Sequence, residues 1–169
     1  KIVDHISDIN LPYTEHSRVY LLSEGFRKEH IVFTGSPMPE VVYHYMDKID
    51  NSYALERVNL EEGKYILVSA HREENLDIEK NFNEVVNTLN TVAEEFKLPV
   101  IYSTHPRSWN KIEEKGVEFN PLITNLRPFG FFDYNKLQKK AYCVLSDSGT
   151  LSEESSILGF PAVLFRTST

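Results

Sequence analysis

The chain has 169 residues, 41% of them hydrophobic, and a formal net charge of −7. That length implies one domain or one and a fraction with a real core, and the acidic balance argues against general nucleic-acid binding, which needs a basic surface to displace counterions. The single cysteine, Cys143, lies in an apolar run, so no disulfide framework or cysteine-rich metal site can be built, and a reducing cytoplasm fits.

No signal-peptide pattern and no apolar run long enough to cross a bilayer is found. The chain opens at Lys1 without an initiator Met and ends at "FRTST", so a fragment is expected. Residues 4–10 read as loop or irregular strand. Thr14-Glu15 opens a short helix, "EHSRVYLLSE", stopped by Gly25. "HIVFTGSP" reads as a short strand ending in a turn. Pro39-Glu40 opens a second helix to about Met46. Residues 50–63 form the best candidate linker, within which "YALERV" can make a helical turn.

A regular rhythm follows. "YILVSA" is a continuous apolar run. "DIEKNFNEVVNTLNTVAEEF" carries Ile78, Phe82, Val85, Val86, Leu89, Val92, Ala93 and Phe96 at spacings of three and four, a helix with one buried stripe. "PVIYSTH", "PLITNL", "YCVLSD" and "PAVLF" read as further strands. "SWNKIEEKG", "FDYNKLQKKA" and "GTLSEESSIL" read as the helices between them. Strands and helices alternating at such spacing predict right-handed βαβ units and a doubly wound parallel α/β sheet of Rossmann-like type. The strands are apolar throughout, as expected where helices cover both faces.

Ligands of such sheets bind beyond the C-terminal strand ends. Three strand ends carry polar groups: Ser69 followed by "AHREEN", Ser103 followed by "THPR", and Ser146 followed by "DSGT". At the last, Gly149 permits close backbone approach. The first amides of the following helix, with the Ser148 and Thr150 hydroxyls, can hold phosphate oxygens. Glu153 and Glu154 fall in its first turn or so, where the dipole favours carboxylates and where one can accept two hydrogen bonds from a vicinal diol such as ribose. An ordinary helix cap is the competing reading of the same residues. His71-Arg72 reads as a solvated pair or a functional one, His105 before Pro106 as a structural or a functional histidine. The two histidines with Asp147 have metal-ligand chemistry, but no spacing shows that they converge. Phe129, Phe131, Phe132 and Tyr134 read as core or as a base-stacking platform, and Trp109 as packing.

Taken together, "DHISDINLPYTEHSR", "LLSEG", "IVFTGSP", "SAHREEN", "RPFGFFDYNKLQKKAYCVLSDSGTLSEESSILGFPAVLFR" and the closing "RTST" resemble the non-hydrolysing UDP-N-acetylglucosamine 2-epimerase family, particularly its capsule-biosynthesis members. The pieces run nearly end to end in family order, and "HREEN" joined to "DSG" and "EE" at this distance is a specific combination.

The resemblance implies two Rossmann-like domains facing across a cleft, as in B-type glycosyltransferases. Residues 1–35 are then the tail of the first domain, 36–63 a connecting helix and linker, and 64–169 an incomplete UDP-binding second domain. The implied chemistry is epimerisation at C2 by elimination of UDP and its re-addition, with no metal and no nicotinamide. By the same resemblance, His71 lies at the diphosphate and active site, where imidazolium can stabilise leaving-group charge. Ser148 and Gly149 take phosphate, Glu154 takes the ribose hydroxyls, and the loop of Arg127 to Phe131 with Tyr134 surrounds the uracil. Arg72, Glu74, His105 and Thr150 complete the candidate UDP-binding set. The family commonly has a second glycine where this chain has Thr150, and a side chain there either crowds the phosphate turn or adds a hydroxyl donor. The implied full-length protein is a homodimer acting on a UDP-sugar in the cytoplasm, without nucleic acid or membrane. A B-type glycosyltransferase and a non-catalytic nucleotide-sugar-binding module are the alternatives.

Overall fold

The computed structural model describes residues 1–70, 78–104 and 106–165. His71, Arg72, Glu74, His105 and the closing "RTST" therefore lie outside the described residues. The chain divides into two compact units, Lys1–Tyr43 and His44–Thr169.

Over residues 1–57 the sequence expectations need three corrections. Residues 4–10 were expected as loop or strand, but Ile2–Ile6 forms a one-turn helix (α1), with the terminal amine 3.0 Å from Asp4 at the positive end of the turn. The expected strand "HIVFTGSP" is a 3₁₀ turn, Lys28–His30, followed by an isolated parallel bridge between Asn10 and Ile31. A strand needs a neighbour along its length, and here Val32 and Phe33 stay exposed. Helix α2 (Glu15–Ser23) is as expected, capped by Thr14, whose side chain accepts from the Ser17 amide. The next helix, α3 (Met38–His44), stops short of Met46. Tyr45 breaks it and a separate short helix, α4 (Met46–Asp50), follows, then α5 (Ala54–Arg57) in the expected linker.

The second unit is built on five parallel strands: β1 (Ile66–Ser69), β2 (Val100–Ser103), β3 (Ile123–Leu126), β4 (Cys143–Ser146) and β5 (Ala162–Leu164). They are ordered β3-β2-β1-β4-β5. Between them run α6 (Glu79–Phe96), α7 (Pro106–Glu114), α8 (Phe131–Lys140) and α9 (Leu151–Leu158). The chain builds outward from β1 through β2 and β3, then returns to pair β4 on the other side of β1. The register sets Ser69 directly opposite Ser146, so two strand-end hydroxyl residues stand side by side where the winding direction reverses.

One face of the sheet meets the stripe read from α6. Phe82, Val85, Leu89 and Ala93 pack with Ile66, Val68, Val100, Tyr102, Ile123 and Leu145, whereas Ile78 and Phe96, at the two ends of the expected stripe, reach past the sheet and stay exposed. Alternation sends Leu67, Ile101 and Val144, also buried, to the opposite face. There the buried Tyr65 hydroxyl donates to the Leu137 carbonyl at 2.5 Å. Helix α8 is also fastened to the 44–62 segment. Asp133 accepts from Ser52 at 2.5 Å and pairs with Arg57, Lys139 reaches Asp50 at 2.7 Å, and Lys140 reaches Glu62 at 2.6 Å.

Candidate functional site

The crevice between β1 and β4 is where an open parallel sheet offers a ligand its binding place. What the sequence puts there is the turn 146–150 and the first half of α9. The Ser148 amide donates to the Ser146 Oγ at 3.1 Å, which closes the turn. Asp147 is fully buried at its centre, and its amide donates to the Ser69 carbonyl across the switch point at 3.3 Å.

The capping reading of this turn holds only in part: Ser148 Oγ accepts from the Thr150 amide and the Ser148 carbonyl from the Leu151 amide, each at a long 3.4 Å. Thr150 is the N-cap of α9, yet it makes no side-chain cap hydrogen bond. Its backbone is already helical, at φ −89° and ψ −8°, whereas a capping residue needs extended dihedrals to bring its oxygen back over the first amides. The side chain instead runs along the helix, and its hydroxyl donates to Glu154 Oε1 at 2.6 Å. Among the described residues no side chain accepts from the first-turn amides of α9, and the Leu151 amide reaches only the Ser148 carbonyl, which leaves donors for an anion. The helix ends at Gly159, in the left-handed region at φ +74°, where its amide closes on the Ser155 carbonyl at 2.8 Å.

Ser148 Oγ lies 3.0 Å from Thr150 Oγ1. Thr150 has one hydroxyl proton and gives it to Glu154, so Ser148 is the donor of that contact. The other Glu154 oxygen, Oε2, accepts from Gln138 Nε2 at 2.6 Å. Glu154 is half-buried and Gln138 is 1% exposed. Tyr134 lies one turn before Gln138 on α8. Burial pushes its phenol up to about 12, helped by the negative charges of Glu154 and Asp147 and opposed by a hydrogen bond from Ser69. At neutral pH it is therefore a protonated donor facing an acidic wall. Tyr102, under the same turn, is raised by burial first and by Asp147 second.

Of the residues singled out from sequence, Ser148, Gly149, Thr150, Glu154 and Tyr134 come together here. Arg127 does not join them. It is exposed and lines a separate cavity of about 90 Å³ with Thr104, Trp109, Asn110 and Pro128. Trp109, read as packing, is half-buried there and donates Nε1 to Glu113 at 2.7 Å. Phe131 is 43% exposed at the start of α8. Its ring lies edge-on to Phe132 and Tyr45, with centroids at 5.6 and 6.4 Å. Gln138 escaped the sequence reading. Its one signal is position, four residues after Tyr134 on the helix face that also carries buried Leu137. Among the described residues, no three side chains of histidine, cysteine, aspartate or glutamate come together as metal ligands, and His71 and His105 lie outside them.

A turn of amides and hydroxyls for an anion, beside a buttressed carboxylate for a diol, is the equipment of a nucleotide site. Residues 1–169 match the family model described as UDP-N-acetylglucosamine 2-epimerase. A curated UDP-N-acetylglucosamine 2-epimerase of Methanococcus maripaludis is 28% identical over 99% of this chain and 48% of its own length. The solved UDP-N-acetylglucosamine 2-epimerase of Rickettsia bellii superposes with a TM-score of 0.87 at 41% identity, covering 98% of this chain and 44% of that one. The Methanocaldococcus jannaschii UDP-GlcNAc 2-epimerase, solved in complex with UDP-GlcNAc and UDP, superposes with a TM-score of 0.89 at 26% identity, covering 99% and 48%. The chain thus spans about half the length of the curated relatives it matches.

Proposed function

The chain belongs to the UDP-N-acetylglucosamine 2-epimerase family, and on that premise we propose that it carries the UDP-binding part of an enzyme that inverts C2 of UDP-N-acetylglucosamine or a related UDP-N-acetyl amino sugar. Its α/β sheet is the Rossmann-like unit of a B-type two-domain fold, the architecture of its structural neighbours. Residues 1–35 are the tail of the first domain, 36–63 the connection, and 64–169 the UDP-binding domain. The observation that carries the reading is the β1/β4 crevice, where the start of α9, at which Thr150 makes no side-chain cap bond, lies four residues from a carboxylate held at both oxygens.

The diphosphate sits on the first-turn amides of α9 and the Ser148 hydroxyl, beside Gly149. Glu154 accepts the ribose hydroxyls, and Phe131 and Tyr134, in the first turn of α8, flank the base. His71, Arg72, Glu74 and His105, which lie outside the described residues, are assigned to the diphosphate by the family resemblance alone. In the reaction the C2 proton is removed and the C1–oxygen bond breaks. UDP leaves with the bonding electrons, and a 2-acetamidoglucal remains. A proton then returns to the other face of C2 and UDP adds back to C1. Stabilising the departing diphosphate is the part assigned to this chain. Proton transfer at C2 is assigned to carboxylates of the first domain. The enzyme works as a homodimer in the cytoplasm, supplying precursors for bacterial capsule or polysaccharide.

The test is deuterium entry at C2 of UDP-N-acetylglucosamine in D₂O, with no acceptor added and with the protein joined to a complementary first domain. Incorporation is expected, since an epimerase needs no acceptor. Absence of incorporation, with sugar transfer once an acceptor is supplied, would replace this reading by a glycosyltransferase.

A further inference from the structure

Glu154 is held at both ends of its carboxylate. Gln138 Nε2 donates to Oε2 and Thr150 Oγ1 donates to Oε1, each at 2.6 Å. We propose, resting on the nucleotide reading above, that Gln138 and Thr150 are positioning residues that fix this carboxylate to receive both hydroxyls of a ribose. A carboxylate has about four acceptor sites on its two oxygens. With one site per oxygen occupied by the protein, each oxygen keeps a site for a ligand. The plane of the group is locked, because rotation would break both contacts. A vicinal diol presents two donors side by side and fills both open sites. A 2′-deoxyribose fills only one.

The burial of Gln138 argues that its amide is there for this contact. The residue is 1% exposed, and among the described residues no donor reaches its Oε1. A buried carbonyl without a partner is destabilising. A leucine of similar volume would fill the same place without that defect, but would release Glu154. Thr150 completes the clamp from the other side and links it to the anion turn. Its single proton goes to Glu154, so it accepts from Ser148. When a phosphate oxygen takes the Ser148 proton, the Thr150 contact to Glu154 stays intact. The two subsites can thus fill together.

The experiment measures UDP and 2′-deoxy-UDP affinity by calorimetry for the wild type, Gln138→Leu, Thr150→Val, Glu154→Ala and the Gln138→Leu/Glu154→Ala double variant. The wild type is expected to prefer UDP by roughly tenfold, the scale of one hydrogen bond to a charged group. Gln138→Leu should lose most of that preference, leave 2′-deoxy-UDP affinity nearly unchanged, and melt no lower than the wild type. In the Glu154→Ala background it should have no further effect. Equal weakening toward both nucleotides, or a loss that persists without Glu154, would overturn the inference. If Gln138→Leu does not fold, exposed Thr150→Val carries the test: full retention of the UDP preference there would overturn it equally. A wild type that binds both nucleotides alike refutes the ribose contact and the clamp with it. A wild type that binds neither removes the nucleotide reading itself.

Discussion

Replacing Glu154 with alanine perturbs two things that the structure separates. The first is the ligand. Hydrogen bonds to a charged acceptor contribute about 1.5–3 kcal/mol, so UDP affinity should fall by roughly 10- to 150-fold. The second is the fold. Gln138 donates to Glu154 from a position that is 1% exposed, and losing the acceptor strands a buried amide at a cost of about 1–3 kcal/mol. Loss of a first-turn carboxylate from α9 adds about 0.3–1 kcal/mol through the helix dipole. Glu154→Gln keeps an acceptor oxygen for Gln138 and removes only the charge, so it should restore most of the stability and only part of the affinity. Glu153→Ala is the control. It sits on the same turn, has no such buttress among the described residues, and should change UDP affinity little. Calorimetric titration with UDP and thermal unfolding measure the two effects on the same samples. A folded Glu154→Ala protein with unchanged UDP affinity would refute the ribose assignment. Unchanged stability would refute the buried contact.

UDP should shift the amide NMR signals of residues 147–154, and uridine far less, because the phosphates are what the α9 amides hold; equal shifts with both ligands would contradict the anion site. Asp133 is held below the usual carboxylate range, by the Ser52 hydrogen bond first and by Arg57 with it. A depressed carboxylate contributes stability that is present above its unfolded value near 4 and is lost as pH falls through the folded value. The melting-temperature gap between wild type and Asp133→Asn should therefore be full at pH 7 and close below about pH 4, and a gap independent of pH would be the contrary result. Phe82 is 2% exposed in the α6 core, beneath Lys111 and Lys115, whose Nζ atoms lie 4.9 and 5.9 Å from the ring centroid. Phe82→Ala should cost about 3–5 kcal/mol in denaturant unfolding, and a cost below about 1 kcal/mol would place the ring outside the core.

Several features were legible in the sequence because local physics dictates them. A doubly covered parallel strand must be apolar on both faces, so "YILVSA", "PVIYSTH" and "YCVLSD" announce β1, β2 and β4 by composition alone. Helix α6 announces itself by its stripe, and α9 by the Gly159 that ends it. The polar residues after each strand follow from the rule that ligands meet such sheets at their C-terminal edge. Where pairing is not local, the sequence was silent or misleading. "HIVFTGSP" has strand composition but makes only one bridge, because a strand exists by virtue of its neighbour. Thr150 reads from sequence as a cap or a phosphate ligand; its helical backbone makes no side-chain cap bond, and its contact with Glu154 was not legible. Only the tertiary structure set β4 beside β1, put Ser69 opposite Ser146, and brought Gln138 to Glu154 across sixteen residues of chain. Those contacts depend on how the chain winds back across its own sheet, which no window of local sequence encodes.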